Sequence, residues 1–212
     1  MSINFNYLLK YVIIGDSGVG KSNILLKYTN GTFSDEFKAT VGVEFGAKNI
    51  EIKKTIYRIQ IWDTAGQENF RSIARAYYKN SVCACIVYDI TNRNSFNSVQ
   101  EWIDDCTKQT PKTILLLLIG NKNDLNDKRE VQYEGGEEFA KKKNMIFLET
   151  SAKTGNNINT IFEKSVEQID KNIKNNKYDL ENENCGIRQG IKTSSFVITK
   201  EKTIKKKKKK CC

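Results

Sequence analysis

The sequence predicts an α/β fold built on a doubly wound, mostly parallel sheet, and three features carry this prediction. Continuous apolar runs at 82–88 and 114–119 are typical of central strands that helices cover on both faces. Helical patterns of apolar residues alternate with such runs along the chain. Polar, glycine-containing motifs come directly after the predicted strands, which is where ligands bind in sheets of this kind.

Six strands and the helices between them are predicted in chain order. Partial alternation over 43–53 and 56–62 predicts a hairpin with its tip at Lys53-Lys54-Thr55. The other predicted strands are the apolar runs 8–14, 82–88, 114–119 and 145–148. The predicted helices are 21–28, one that begins at Ser95 as its N-cap, 135–143 and 157–175. We expect helices on both faces of the sheet.

Composition divides the chain into a domain over residues 1–176 and a flexible tail over 177–212. The net charge is +10, and residues 200–212 carry +7 of it. After residue 176 polar residues dominate and the periodic patterns stop. A surface evolved for duplex nucleic acid is normally basic itself, so the charge at one end argues against nucleic-acid binding by the domain.

Histidine and cysteine usage excludes several kinds of site. The chain contains no histidine, which excludes histidine-based triads and histidine metal sites. No pair among the six cysteines has zinc-finger spacing, and Cys83 and Cys85 are expected to be buried on one face of a strand. This usage is typical of a reducing, cytosolic compartment. We expect no secretory signal, and the longest apolar run is too short to span a bilayer.

The segment Gly15–Ser22 fits the pattern Gly, four residues, Gly-Lys-Ser/Thr, and it follows a predicted strand. Successive backbone N–H groups in such a loop point at an anion, and the next helix adds the positive end of its dipole. Lys21 is expected to reach the β- and γ-phosphates, and Ser22 to ligate Mg²⁺. The candidate residues here are Gly15, Asp16, Ser17, Gly18, Val19, Gly20, Lys21, Ser22 and Asn23.

Four residues farther along the chain extend this site. Asp63 ends a predicted strand, where its carboxylate is expected to hold Mg²⁺ directly or through water. Gly66 offers an N–H group to a γ-phosphate, and Gln67 is expected to orient an attacking water without taking its proton. Thr40 is expected to ligate Mg²⁺ only when a γ-phosphate is present, which makes it a sensor of the nucleotide state.

Two further motifs predict recognition of guanine. The Asp124 carboxylate, in Asn121-Lys122-Asn123-Asp124, is expected to accept hydrogen bonds from N1–H and the exocyclic amine of guanine. Adenine does not present this pair of donors and would leave the carboxylate unpaired. The segment 149–155 follows the next strand, and its backbone is expected to close over the base. The candidate residues are Asn121, Lys122, Asp124, Leu125, Ser151, Ala152 and Lys153.

With these motifs in order, residues 8–175 resemble the Ras-like small GTPases, and within them the Rab family. The resemblance to Rabs rests on residues 41–45, 61–68, 70–73 and 87–93 and on the terminal cysteine pair. It implies the P-loop NTPase fold and a GTP-hydrolysing, Mg²⁺-dependent switch in vesicle trafficking. Val41 departs from the usual isoleucine, and Lys79-Asn80-Ser81 departs from the common Arg-Gly-Ala.

The resemblance also implies roles for residues outside the nucleotide motifs. Phe33 packs against the guanine, and residues 33–45 and 64–80 are the two switch loops. An aromatic triad that effectors read is implied at Phe45, Trp62 and Tyr78. From the residues alone, these three aromatic side chains are equally compatible with simple core packing.

Regulators and a membrane anchor are implied as well. The implied partners are an exchange factor, a GTPase-activating protein, effectors and a GDP-dissociation inhibitor, acting on a monomer that binds no nucleic acid. The basic run 205–210 before Cys211 and Cys212 implies double geranylgeranylation by a geranylgeranyltransferase with its Rab escort protein. Two lipid chains and a basic run hold a protein firmly on a membrane. The implied location is the cytoplasmic face of ER, Golgi or endosomal membranes, with cycling to the cytosol.

Three other functions make different demands on the sequence. A tether that binds GTP without hydrolysing it would be expected to lack Gln67, Lys21 or Thr40, and all three are present. A nucleic-acid binder that uses the lysine run would lose binding with the last ten residues and would not depend on GTP. A P-loop kinase would need a lid or a second substrate site, which the sequence does not suggest.

Overall fold

A seven-stranded sheet forms the centre of the computed structural model, which describes residues 5–36, 40, 42–67 and 71–190. The strands are β1 (Tyr7–Ile14), β2 (Val43–Ile52), β3 (Thr55–Thr64), β4 (Cys83–Asp89), β5 (Leu115–Asn121), β6 (Ile146–Glu149) and β7 (Ile187–Gln189). Their order is β2-β3-β1-β4-β5-β6, with β7 beside part of β1. Only β2 and β7 pair antiparallel with their neighbours. The predicted α/β fold with a mostly parallel sheet is confirmed.

Helices cover both faces of this sheet, as predicted. They are α1 (Lys21–Asn30), α2 (Arg71–Tyr78), α3 (Arg93–Asn97), α4 (Val99–Thr107), α5 (Tyr133–Lys142) and α6 (Ile158–Lys174), with 3₁₀ helices at Asn123–Lys128 and Glu183–Cys185. Alternate side chains of β1 enter different clusters: Leu9, Tyr11 and Ile13 pack with α1 and α6, whereas Val12 and Ile14 pack with α2, α4 and α5. Over the described ranges, no helix is both long and apolar enough to cross a membrane.

Two local predictions have different outcomes. Lys53 and Lys54 form the predicted hairpin turn, and both have positive φ, as a tight two-residue turn requires. The helix predicted from Ser95 is instead divided into α3 and α4, and its predicted cap is wrong. Asn92 caps α3, because its side-chain oxygen accepts from the backbone N–H of Ser95 at 3.2 Å.

Strand β7 corrects the prediction of six strands. β4 begins at Cys83 opposite Tyr11, so the first half of β1 has no partner from β4. β7 takes that position in antiparallel orientation, with Ile187 opposite Leu9. Its backbone pairing satisfies hydrogen-bonding groups that β4 leaves open. A three-residue strand with one buried side chain carries no periodic pattern, which is why the sequence did not reveal it.

Packed structure therefore extends past residue 176 and includes residues 177–190, which the predicted domain boundary assigned to a flexible tail. Tyr178, Cys185 and Ile187 are buried. Gly186 has a φ of +78°, and a Cβ atom at this position would lie 2.3 Å from the backbone nitrogen of Val82. Glycine thus allows the segment to pass close to the beginning of β4.

Replacing Ile187 by alanine tests whether this segment stabilises the domain. The change removes apolar burial beside β1 and leaves a cavity, so we expect the free energy of unfolding to fall by about 2–5 kcal/mol. Urea unfolding at a fixed nucleotide concentration measures it. Gln189→Ala, on the same strand but exposed, is the control and should change stability by less than about 0.5 kcal/mol. Equal small effects of both variants would show that the segment contributes nothing.

Candidate nucleotide-binding site

A cavity of about 710 Å³ lies at the carboxyl ends of the parallel strands. The loops after β1, β3, β5 and β6 all contribute to its walls. The predicted site residues that line it are Ser17, Gly18, Gly20, Lys21, Ser22, Asn23, Phe33, Thr40, Gly66, Gln67, Asn121, Lys122, Asp124, Leu125, Ala152 and Lys153. Sequence reasoning missed other lining residues, which are Leu26, Ser34, Asp35, Glu36 and Glu44.

The loop between β1 and α1 is shaped to hold an anion. Gly20 lies just before α1 with a φ of +96°, and no side chain caps the helix. The N–H groups of the first turn therefore point into the loop without an intrahelical acceptor. The Nζ atom of Lys21 donates to the carbonyl oxygens of Gly15 at 2.9 Å and of Asp16 at 2.7 Å. Backbone donors and an ammonium group thus converge on one point.

Lys21 is only 5% exposed. Burial lowers the pKa of its ammonium group from 10.5 to about 8, and the nearby carboxylates of Asp63 and Asp16 oppose this shift. A buried cation is stabilised by a neighbouring anion. A phosphate bound at this loop would favour the charged form of Lys21 further.

Three predicted Mg²⁺ ligands meet beside this lysine. The Ser22 hydroxyl donates to Oδ2 of Asp63 at 2.5 Å and lies 2.9 Å from the Thr40 hydroxyl. The other carboxylate oxygen of Asp63, Oδ1, is buried and has no hydrogen-bond partner among the described residues. Burial raises the pKa of Asp63 to about 6, against the effects of Ser22 and Lys21. Two hydroxyls and an unsatisfied carboxylate oxygen form a donor set that fits Mg²⁺.

Gly66 lies directly against the phosphate-binding loop. A Cβ atom at this position would be 2.4 Å from Nζ of Lys21 and 2.5 Å from the carbonyl oxygen of Gly15. Only a residue without a side chain allows this approach. Gln67 follows Gly66 and lines the same cavity. The structure thus brings the predicted γ-phosphate donor and the predicted water-orienting residue to the phosphate loop.

Asn121 connects three loops of the site. Its side-chain nitrogen donates to the carbonyl oxygen of Val19 at 2.9 Å. Its side-chain oxygen accepts from the N–H of Ala152 and from the hydroxyl of Thr150, both at 3.2 Å. With its side-chain amide in these contacts, Asn121 holds the phosphate loop and the base-binding loop at a fixed separation.

Lys122 and Asp124, in the loop after β5, line the cavity, and Ser151, after β6, contacts Asp124. The Ser151 hydroxyl donates to Oδ1 of Asp124 at 2.5 Å, which orients the carboxylate that is predicted to read guanine. Lys122 has a φ of +68°, and its ammonium group forms an ion pair with Asp89 at 2.6 Å. Asp89 was not predicted, because nothing in the sequence links the end of β4 to the loop after β5.

Two other predicted residues support the cavity rather than facing its contents through their side chains. The carboxylate of Asp16 accepts from the indole N–H of Trp102 on α4 at 2.7 Å. The side chain of Asn23 exchanges two hydrogen bonds of 3.0 Å with the backbone of Ser34, which holds the segment that carries Phe33. These contacts join residues far apart in the chain, so no local pattern could have revealed them.

The predicted aromatic triad needs one correction. Phe45 and Trp62 are in contact, with ring centroids 4.9 Å apart, but the next ring against Trp62 is that of Tyr77, at 5.2 Å. Tyr78 is fully buried in the cluster with Val12 and cannot be read by a partner. Along α2 consecutive side chains point about 100° apart, so only one of the two tyrosines faces Trp62.

Some predicted positions lie outside the described residues. They are the switch residues 37–39, 41 and 68–70, the basic run 205–210, and the candidate lipid acceptors Cys211 and Cys212.

Similarity to known proteins agrees with this geometry. A sequence model of the Ras family matches residues 10–171 of the chain. The protein described as "Ras-related protein Rab-2B", from Dictyostelium discoideum, is 50% identical to this chain over 182 residues. That alignment covers 86% of this chain and 90% of the Dictyostelium protein.

Proton uptake on nucleotide binding tests the electrostatic role of Lys21. A pKa of about 8 leaves this lysine mostly neutral at pH 8.5, and bound phosphates favour its charged form, so GDP binding should take up about 0.7 proton. Calorimetry on nucleotide-stripped protein in two buffers of different ionisation enthalpy measures the uptake. At pH 7.0, where Lys21 is already charged, its contribution should fall to about 0.1 proton. Absence of uptake at pH 8.5 would contradict the assignment.

Proposed function

This chain belongs to the Ras family and, within it, to the Rab GTPases, and we propose that the cavity of about 710 Å³ is its GTP site. The protein hydrolyses GTP and acts in vesicle trafficking. One observation carries the site assignment: the hydroxyls of Ser22 and Thr40 and the carboxylate of Asp63 converge beside the buried ammonium group of Lys21. These groups suit the charges of a nucleotide phosphate chain and its Mg²⁺.

In the proposed mechanism each residue acts through an atom already in place. The N–H groups at the start of α1 and the ammonium group of Lys21 hold phosphate oxygens. Ser22, Thr40 and Asp63 would hold Mg²⁺, which neutralises charge on the β- and γ-phosphate oxygens. The Gln67 amide orients a water for in-line attack on the γ-phosphorus, and the bond between the γ-phosphorus and the β–γ bridging oxygen breaks as GDP leaves. The water's proton leaves with the inorganic phosphate, since Gln67 does not take it.

Guanine specificity is assigned to Asp124. Its carboxylate lines the cavity and is oriented by the Ser151 hydroxyl. Guanine donates two hydrogen bonds to such a group, whereas adenine would leave a desolvated carboxylate without partners. Sites built in this way discriminate by about 10⁴-fold or more. Asn121 supports this specificity by holding the loop after β6 against the loop after β1.

Switching is assigned to Thr40 and Gly66. Thr40 lies between α1 and β2, and its hydroxyl is held here by Ser22. Gly66 follows β3 and lies against Lys21. A γ-phosphate draws both residues to the phosphate site, and its loss releases them, so partner affinity differs between the two nucleotide states.

Regulation and membrane attachment are proposed from the chain's composition and family. An exchange factor, a GTPase-activating protein, effectors and a GDP-dissociation inhibitor would act on the switch loops. Cys211 and Cys212 would each carry a geranylgeranyl group, added by a geranylgeranyltransferase with a Rab escort protein. The adjacent lysine run adds attraction to anionic lipid. The proposed location is the cytoplasmic face of ER, Golgi or endosomal membranes.

The variant Gln67→Leu tests the hydrolytic role of Gln67. Leucine keeps a similar volume but cannot orient water, so the intrinsic rate of GTP hydrolysis should fall at least about 10-fold while GTP affinity is retained. Phosphate release in single-turnover assays measures the rate. Gln60→Leu, the same change on β3 outside this cavity, is the control and should hydrolyse GTP normally. Unchanged hydrolysis by Gln67→Leu would refute the role.

Mass spectrometry of the protein purified from its own cells tests the lipid anchor. Two isoprenoid additions are expected on the C-terminal peptide, because one chain anchors only marginally and two anchor firmly. A Cys211→Ser, Cys212→Ser double variant should leave the membrane fraction. Unmodified cysteines in the membrane-bound protein would refute this part of the proposal.

A further inference from the structure

A second cavity, of about 240 Å³, lies on the sheet at a distance from the nucleotide site. It is formed by side chains of β1 and β3 and by the C-terminal segment that ends in β7. We call it the β7 cavity, defined by Leu8, Lys10, Gln60, Trp62 and Arg188. It shares no lining residue with the nucleotide cavity.

Strand register explains why these side chains meet. Side chains alternate between the faces of a sheet, so residues 8 and 10 of β1 lie on one face and residues 9 and 11 on the other. Arg188 is opposite Leu8 in the antiparallel pair, so its side chain shares that face. The preceding Ile187 is buried on the opposite face. Docking of β7 therefore brings a second cation next to Lys10.

Two cations in the β7 cavity have no anionic partner within the described part of the chain. None of the ion pairs there involves Lys10 or Arg188. The Lys10 ammonium group donates to the carbonyl oxygen of Lys79 at 2.6 Å and lies 5.8 Å from the centre of the Trp62 ring. Burial and the charge of Arg188 both lower the pKa of Lys10. A carboxylate would relieve this repulsion.

The β7 cavity also continues into an exposed aromatic surface. Trp62 borders the cavity and packs between Phe45 and Tyr77. Phe45 is 50% exposed, one of two large hydrophobic side chains with such exposure in the described ranges. A ligand that fits here combines a carboxylate with an apolar group a few ångströms away. A lipid headgroup or a nucleic-acid phosphate would meet the charges but leave the aromatic surface uncovered.

We propose that the β7 cavity binds a segment of a partner protein whose Asp or Glu side chain lies between Lys10 and Arg188 while a neighbouring apolar side chain covers Trp62. Arg188 makes the C-terminal segment part of the recognition surface. Neither cation belongs to the segments 33–45 and 64–80, although the Lys79 carbonyl oxygen holds Lys10 and Trp62 packs between Phe45 and Tyr77. The inference goes beyond the proposed GTPase cycle and does not depend on it.

The test begins with a phage-displayed library of random 16-residue peptides. It is selected separately on the full chain loaded with GDP and with a non-hydrolysable GTP analogue. The expected peptides carry Asp or Glu within a few positions of an aromatic or aliphatic residue. Fluorescence polarisation with synthetic peptides then measures Kd. Arg188→Glu should weaken binding at least 10-fold.

Three controls separate direct pairing of Arg188 with the acidic side chain of the peptide from changes in net charge or folding. Lys164→Glu makes the same change in charge at an exposed position on α6, on the other face of the sheet, and should leave Kd unchanged. A peptide with its acidic residue replaced by lysine should bind the Arg188→Glu protein better than the original peptide does. Urea unfolding should show that the Arg188→Glu protein is as stable as the native protein.

Several outcomes would overturn the inference. One is a selection that yields no binding peptides, or only peptides without an acidic residue. Another is equal weakening of peptide binding by Arg188→Glu and Lys164→Glu. Loss of binding to vesicles of phosphatidylserine and phosphatidylcholine in Arg188→Glu, with peptide binding unchanged, would also overturn it and would assign the cations to lipid.

Discussion

Two buried opposite charges, on Lys21 and Asp63, are the constraint on which the nucleotide site depends. Both side chains are almost inaccessible to water, and burial destabilises the charged form of each. Carbonyl oxygens of the loop accept from the lysine, but one oxygen of Asp63 has no partner among the described residues. In the proposed site, a phosphate chain would supply a negative charge to Lys21 and Mg²⁺ a positive charge to Asp63. Ligand binding and the stability of the folded site are therefore coupled.

The other residues of the cavity differ in the number of contacts that hold them. Asn121 ties the phosphate loop to the base loop, and Trp102 holds the side chain of Asp16 from α4. Thr40 contributes through one hydroxyl contact to Ser22. Several contacts therefore fix the loops after β1 and β6, and the proposed sensing of the γ-phosphate belongs to Thr40 and Gly66.

The C-terminal segment extends the folded domain beyond the last nucleotide motif. Residues 177–190 pack against β1 although none of them belongs to a nucleotide motif. This packing ends beside the first residues of β1, at the amino ends of the parallel strands, whereas the nucleotide cavity lies at their carboxyl ends. The chain therefore leaves the described domain on the side away from the nucleotide, and it places Arg188 next to Lys10 on the way.

The amino-acid sequence alone determined the α/β class, six of the strands, most of the helices and the motifs whose residues line the larger cavity, because each of these depends on local periodicity or on a short motif after a strand. Tertiary structure alone decided what depends on side chains meeting across the chain. Examples are the ion pair of Asp89 with Lys122, the hydrogen bond from Trp102 to Asp16, and the ring contact of Trp62 with Tyr77 rather than Tyr78. It also decided that β7 completes the sheet, because that short strand forms only where β4 leaves part of β1 unpaired. Such contacts depend on distances in space, which residue spacing along the chain does not encode.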